Sequence, residues 1–128
     1  GIHLMILSTE TNPVVTARAT KLGIDVAQGV NDKARVLKRW MAERGLDPER
    51  VAYLGNDVND LDPMNLVGWP LTVADAREEV HAAARHRLAT PGGHGAVREA
   101  AELILAGRTA ANLPTAPGQL TAVPAWAN

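Results

Sequence analysis

Three polar groups punctuate this chain, and each stands where an apolar run gives way. Ser8, Thr9 and Glu10 come at the end of the run IHLMILS at 2–8. Lys33 opens a stretch with helical spacing, and Asn56, Asp57, Asn59 and Asp60 follow VAYL at 51–54 across a single Gly55. A hydroxyl at a strand end, beside free backbone N–H groups, holds a phosphate oxygen. A Lys near a helix N-terminus adds a point charge to the same anion. Carboxylates and amides at a neighbouring strand end offer hard oxygen ligands to Mg²⁺, which keeps several waters and binds few protein groups. Ser8, Thr9 and Lys33 are therefore candidate phosphate ligands, and the cluster Asn56, Asp57, Asn59 and Asp60 a candidate Mg²⁺ site.

Each group alone has a plainer explanation. Ser8 and Thr9 suit a turn or a cap, Lys33 suits a solvated helix, and Asn and Asp are common in turns. The order and spacing of the three carry more weight than any one of them.

The elements that must position these groups can be read from periodicity. The nearly all-apolar run at 2–8 suits a strand buried on both faces of a parallel sheet. Asn12-Pro13 is a helix cap followed by Pro at the first helical position, and Gly23 is the stop after Leu22. A short strand is expected at 24–28. Asn31 or Asp32 caps a helix running to about Arg44, with Val36, Leu37, Trp40 and Met41 on its buried face. A strand at 51–54, a short helix at 61–66, a strand at 71–73, a helix at 76–86 and a strand at 88–90 follow. Gly92, Gly93, His94 and Gly95 make a tight loop. The last helix, 96–107, has Val97, Ala101, Leu103, Ile104 and Leu105 on or near its buried side. Strands alternating with helices imply parallel β-α units with right-handed crossovers and a ligand beyond the carboxyl ends of the strands. Residues 1–108 read as one core, and 109–128 as a Pro/Ala-rich tail with little structure of its own.

The bulk numbers exclude several classes. With 128 residues the chain has room for one domain. Hydrophobic residues make up 46%, charged residues 21% and aromatics 3%, so the core is aliphatic. A net charge of −1 gives no reason to expect nucleic acid or an acidic membrane surface as partner. The absence of Cys removes disulfides and thiolate metal sites and fits a cytoplasmic protein. No apolar run approaches the roughly 20 residues needed to span a bilayer. The chain opens inside an apolar run without a Met or a signal-peptide pattern, which reads as a fragment or a processed product.

Together LSTE at 7–10, Lys33, VAYLGNDVNDLD at 51–62 and PGGHGAVRE at 91–99 resemble the haloacid-dehalogenase (HAD) superfamily. The likeness covers residues 4–107. It is similar to the small capless phosphatases acting on 3-deoxy-manno-octulosonate 8-phosphate and, equally, to the phosphatase-like C-terminal domain of acylneuraminate cytidylyltransferases. The resemblance implies a Rossmann-like parallel sheet flanked by helices, without a cap. It also implies Mg²⁺, a sugar phosphate as substrate, and a homo-oligomer, a tetramer in the group resembled. Ser8 would bind the transferring phosphoryl group, and Lys33 would stabilise its charge and that of an aspartyl nucleophile. Asn56, Asp57 and Asp60 would occupy the acidic metal loop, with Lys33 and Asp60 as the catalytic pair. Gly92 to Gly95 would form a substrate loop. Two positions depart from the pattern: Asn56 stands where an Asp is usual, and His94 where an Arg is usual.

The resemblance also implies an Asp-x-Asp motif, nucleophile first and general acid–base second, some tens of residues before Ser8. No Asp precedes Asp25 in the chain. The expected sheet therefore lacks its usual first, central strand, which belongs between 2–8 and 51–54, and covalent catalysis lacks its nucleophile. Two functions compete: a Mg²⁺-dependent sugar-phosphate phosphatase represented by an incomplete chain, and a non-catalytic assembly module of a cytidylyltransferase. A receiver or flavodoxin-like domain shares the layout but does not account for Lys33 and the Gly-Gly-x-Gly turn together. Trp69-Pro70 and Trp126 are candidate subunit contacts.

Overall fold

The computed structural model describes residues 2–111 and 119–123, with side chains over 2–106. Six strands form one sheet in the order β2-β1-β6-β3-β4-β5: β1 Met5–Leu7, β2 Asp25–Ala27, β3 Val51–Gly55, β4 Trp69–Thr72, β5 His86–Arg87 and β6 Gln119–Val123. Every pairing is parallel. The carboxyl ends of β1 and β3 therefore lie on one edge, which carries Ser8 to the same side as Asn56.

Alternation along the strands divides the core in two. Ile6, Ala52, Leu54 and Leu71 face α1 (Pro13–Leu22) and α5 (Ala96–Ala111), where they meet Ala19, Ala96, Ala100 and Ile104. Met5, Leu7, Val51 and Tyr53 face α2 (Lys33–Glu43), α3 (Leu61–Met64) and α4 (Glu78–Ala83), where they meet Leu37, Trp40, Met41, Met64 and Val80. The architecture is a three-layer α/β sandwich, as expected. Each fully buried Leu, such as Leu7, Leu37 or Leu54, contributes roughly 1.5–3 kcal/mol of transfer free energy.

The local signals around α1 hold. Asn12 Oδ1 accepts from Val14 N at 3.0 Å, Pro13 opens the helix, and Gly23 closes it in the left-handed region at φ 70°. Of the two candidates before α2, Asp32 is the cap, its Oδ1 accepting from Arg35 N at 3.1 Å. Leu37, Trp40 and Met41 are buried as expected, and Val36 is half-buried.

Several expectations change. The last strand of the core lies at His86–Arg87 rather than 88–90; beyond it Leu88 N and Thr90 O still bond to Thr72 O and Ala74 N, but the Glu99 carboxylate takes the N–H groups of Ala89 and Thr90 at 2.9 and 2.8 Å. On α5 the fully buried stripe is Ala96, Ala100 and Ile104, while Leu105 is 52% exposed. The 109–128 stretch is not without structure: α5 extends to Ala111, and 119–123 form β6. The centre of the sheet is correspondingly not open. β6 lies between β1 and β3, with Met5 opposite Ala122 and Val51 opposite Gln119, and its register against β3 skips at Thr121. Ladder hydrogen bonds on both sides make a strand of a segment too short to signal one alone.

Trp69 is half-buried with the Arg85 guanidinium 4.0 Å from its ring centroid, and Pro70 is buried, so this pair is engaged within the domain. Trp126 lies outside the described residues. Among the described residues no helix is long and apolar enough to cross a membrane.

Candidate active site

The β1–α1 loop is held by its neighbour across the sheet edge. Ser8 N donates to Ala27 O at 3.0 Å, Val30 N donates to Ser8 O at 3.0 Å, and Gly29 N donates to Glu10 O at 2.8 Å. The Gln28 side chain braces the same loop: its Nε2 donates to Asn12 O at 2.8 Å, and its Oε1 accepts from Thr16 N at 3.2 Å and from the Thr16 hydroxyl. Ser8 is 5% exposed, and its Oγ accepts from Glu10 N at 3.0 Å. The serine O–H proton remains for an outside acceptor.

Across the edge, β3 runs into a tight helical turn, Val58–Asp60. Asp57 caps that turn, accepting from Val58 N at 2.7 Å. Asp60 is wholly buried and reaches back beneath the turn. Its Oδ2 accepts from Asn56 N at 2.9 Å and Asp57 N at 3.3 Å. Its Oδ1 accepts from Lys33 Nζ at 2.9 Å and from the Tyr53 hydroxyl at 2.6 Å.

Lys33 is the first residue of α2, where the positive end of the helix dipole disfavours a cation. It is also only 5% exposed, although a solvated helix lysine would be the ordinary outcome. Asp60 offsets both costs. Such a pair adds little net stability over an apolar one, so its worth lies in fixing the ammonium at one place. Burial, then the Asp60 charge, then the hydrogen bond to it push the Tyr53 phenol well above its ordinary value, so it remains a donor.

Between these two walls lies a cavity of about 440 Å³. Ser8, Thr9, Glu10 and Asn12 line one side, Asn56, Asp57 and Asn59 the other, and Lys33 stands between them. The structure thus brings Ser8, Thr9, Lys33, Asn56 and Asp57 together. Asp60 touches Lys33 but does not line the cavity, and two donors occupy each of its oxygens. Among the described residues no group of three or more His, Cys, Asp and Glu forms a metal cluster.

The glycine loop is not part of the cavity lining. Gly93 and Gly95 adopt positive φ of 78° and 91°, and Gly92 N donates to Asp75 Oδ1 at 2.9 Å. His94 is exposed, with its N–H on Pro91 O at 3.2 Å. Glu99 secures the loop's approach. Burial works against its charge, but the hydrogen bonds from Thr90 and Ala89, together with His86, hold its carboxyl below the ordinary value.

Sequence reasoning passed over two residues. Tyr53 is the chain's one tyrosine, and a hydroxyl in a strand buried on both faces must find a partner, so its signal was present. Gln28 had none, because its partners come from a loop and a helix that only the fold brings to it.

A haloacid dehalogenase-like hydrolase family model matches residues 7–99. The chain is 36% identical over 114 residues to 3-deoxy-D-manno-octulosonate 8-phosphate phosphatase of Yersinia pestis, covering 82% of this chain and 61% of that protein. It is 35% identical over 109 residues to N-acylneuraminate cytidylyltransferase A of Danio rerio, covering 82% of this chain and 25% of that protein. Among solved structures, a HAD-type protein from Streptomyces avermitilis is 55% identical with a TM-score of 0.77, covering 82% and 64% of the two chains. The Moraxella catarrhalis 3-deoxy-D-manno-octulosonate 8-phosphate phosphatase, solved with magnesium, phosphate and KDO, is 35% identical with a TM-score of 0.78, covering 82% and 61%. The chain spans about three-fifths of the length of the phosphatases it matches.

Proposed function

Because this chain belongs to the haloacid dehalogenase-like hydrolase family, we propose that it supplies the phosphate-binding wall of a phosphomonoester hydrolase acting on a sugar phosphate with Mg²⁺. The observation that carries this reading is the buried Lys33 ammonium, set by Asp60 at a cavity whose other wall presents Ser8 and Thr9. Ser8 donates its O–H to one phosphoryl oxygen, and Lys33 offsets charge on the group in transfer. Asn12, Asn59 and Glu10 leave the rim polar, which suits the hydroxyls of a sugar.

The donor set fits Mg²⁺ in a limited way. Asp57 gives one carboxylate and Asn56 one neutral amide oxygen, and Mg²⁺ is commonly held by one or two carboxylates with phosphate and water completing the shell. Asp60, with its oxygens already engaged, acts by placing Lys33. When bound, Mg²⁺ would neutralise phosphate charge. Asp57 and Asn56 would hold it weakly until phosphate joins them, which a Mg²⁺ titration followed by amide NMR, with and without phosphate, measures directly.

Asp57 is the one described aspartate that lines the cavity, and it serves as a helix cap. Asp25 lies on the edge strand, bonded to Trp40 Nε1 at 3.0 Å and Arg44 at 2.6 Å. We therefore assign binding and charge stabilisation to this chain, not the nucleophilic step.

Asn56 favours a second reading, in which the domain assembles a cytidylyltransferase and does no chemistry, since an amide weakens a metal site built on charge. The product of the complete coding region, screened with Mg²⁺ on sugar phosphates and for cytidylyl transfer, decides between them. Phosphate release lost in Lys33→Met supports the phosphatase. Cytidylyl transfer without phosphate release supports the module. In either case we expect a homo-oligomer, which light scattering tests.

A further inference from the structure

We propose that Tyr53 is a positioning residue for the anion site, its hydroxyl governing how firmly Asp60 holds Lys33. The inference rests on the phosphate-site reading above and extends it to a side chain that does not line the cavity.

Asp60 Oδ1 is shared by two donors, Lys33 Nζ at 2.9 Å and the Tyr53 hydroxyl at 2.6 Å. Tyr53 and Asp60 are wholly buried, and Lys33 is 5% exposed. No bulk water screens the interaction, so each donor on this oxygen affects the other. Asp60 and an incoming anion compete for the same ammonium. The phenol engages part of the electron density on Oδ1 and keeps the carboxylate from drawing Lys33 inward. Without it, Oδ1 has Lys33 as its remaining donor, and the ammonium is held more tightly away from the cavity. The backbone N–H groups of Asn56 and Asp57 fix the other oxygen, so the carboxylate cannot turn to compensate.

A purely structural Tyr53 would fill space in the core and be indifferent to what enters the cavity. A positioning Tyr53 must respond when phosphate draws on Lys33. Because it is the chain's one tyrosine, uniform 3-fluorotyrosine labelling places a single ¹⁹F probe at this position. Inorganic phosphate titrated into the labelled chain should shift the ¹⁹F resonance along the same saturation curve as the amide signals of Ser8 and Thr9. Both responses should vanish in Lys33→Met. Tyr53→Phe, folded as judged by its amide spectrum, should bind phosphate about three- to tenfold more weakly, the scale of the net contribution of one ordinary hydrogen bond, since the phenol acts on the anion only through Asp60 and Lys33. Should Tyr53→Phe fail to fold, the ¹⁹F titration of the labelled wild-type chain still decides.

Phosphate that shifts the Ser8 and Thr9 amides while leaving the ¹⁹F signal still overturns the role of Tyr53 and spares the site. Unchanged affinity in a folded Tyr53→Phe does the same. Phosphate that moves none of these signals removes the site reading and this inference with it.

Discussion

Asp60 folds back so closely on Gly55 that a Cβ built on the glycine would stand 2.6 Å from the Asp60 Cβ. The same Cβ would meet Met64 Sδ at 2.9 Å. Met64 is a flexible end and can yield, but Asp60 cannot, since four hydrogen bonds hold its carboxylate. Gly55→Ala should therefore cost about 1–3 kcal/mol through overpacking. It should also loosen the Lys33–Asp60 contact, so phosphate affinity should fall with stability. Urea denaturation and a phosphate titration of the same variant check both parts. A variant as stable as the wild type would show that the turn moves aside freely.

The two ends of the buried pair should not be equivalent. Asp60→Ala leaves Lys33, the Tyr53 hydroxyl and two backbone N–H groups without their acceptor, and should cost about 3–5 kcal/mol. Lys33→Met leaves Asp60 with three donors and should cost clearly less, while removing phosphate binding. Midpoints from urea denaturation give the ranking. Equal losses would mean that the neutral donors around Asp60 contribute nothing.

How far the sequence alone reveals this arrangement depends on the range of the forces involved. The Asn12 cap, Pro13 and the Gly23 stop act within a turn of α1, and the structure repeats them residue for residue. Ser8, Lys33 and Asn56 stand out by their position after strands or before a helix, and they converge because parallel strands put those ends on one edge. β6 could not be read so, because the segment QLTAV becomes a strand only between β1 and β3. The shift of β5 to His86–Arg87 has a similar cause, since the Glu99 carboxylate, distant in sequence, takes the Ala89 and Thr90 N–H groups while Thr90 O accepts from Ala74 N. Resemblance alone groups loop 92–95 with the site, and the loop's hydrogen bonds run to Asp75, Pro91 and Glu99.

Alkaline stability should depend on Tyr53. In the fold its phenol is held above the ordinary value of 10.0 by burial, by the Asp60 charge and by their hydrogen bond. The unfolded chain thus loses the phenolic proton first. Below about pH 10 both states keep it and the full contribution is present. Above that value the unfolded state binds fewer protons, so stability falls as pH rises. Tyr53→Phe should lower stability at neutral pH and flatten this alkaline decline. Chemical denaturation at pH 8, 9.5 and 10.5 tests it, and parallel wild-type and variant curves would refute the assignment.

Turnover by these 128 residues alone should be negligible with sugar phosphates and Mg²⁺. Formation of a phosphoenzyme needs an attacking group in the cavity. Asp57, the one described aspartate there, spends its carboxylate on the cap of a helical turn. Ser8 and Lys33 donate to an anion, which lowers charge without opening a covalent path. Binding should survive where chemistry does not: phosphate and vanadate should saturate the Ser8–Lys33 site, and Lys33→Met should abolish that saturation. The measurement is inorganic phosphate release from the purified chain beside a vanadate titration followed by amide NMR. Release that persists through repurification, together with a phosphoenzyme trapped on Asp57, would identify Asp57 as the nucleophile. It would also transfer the catalytic step to this chain.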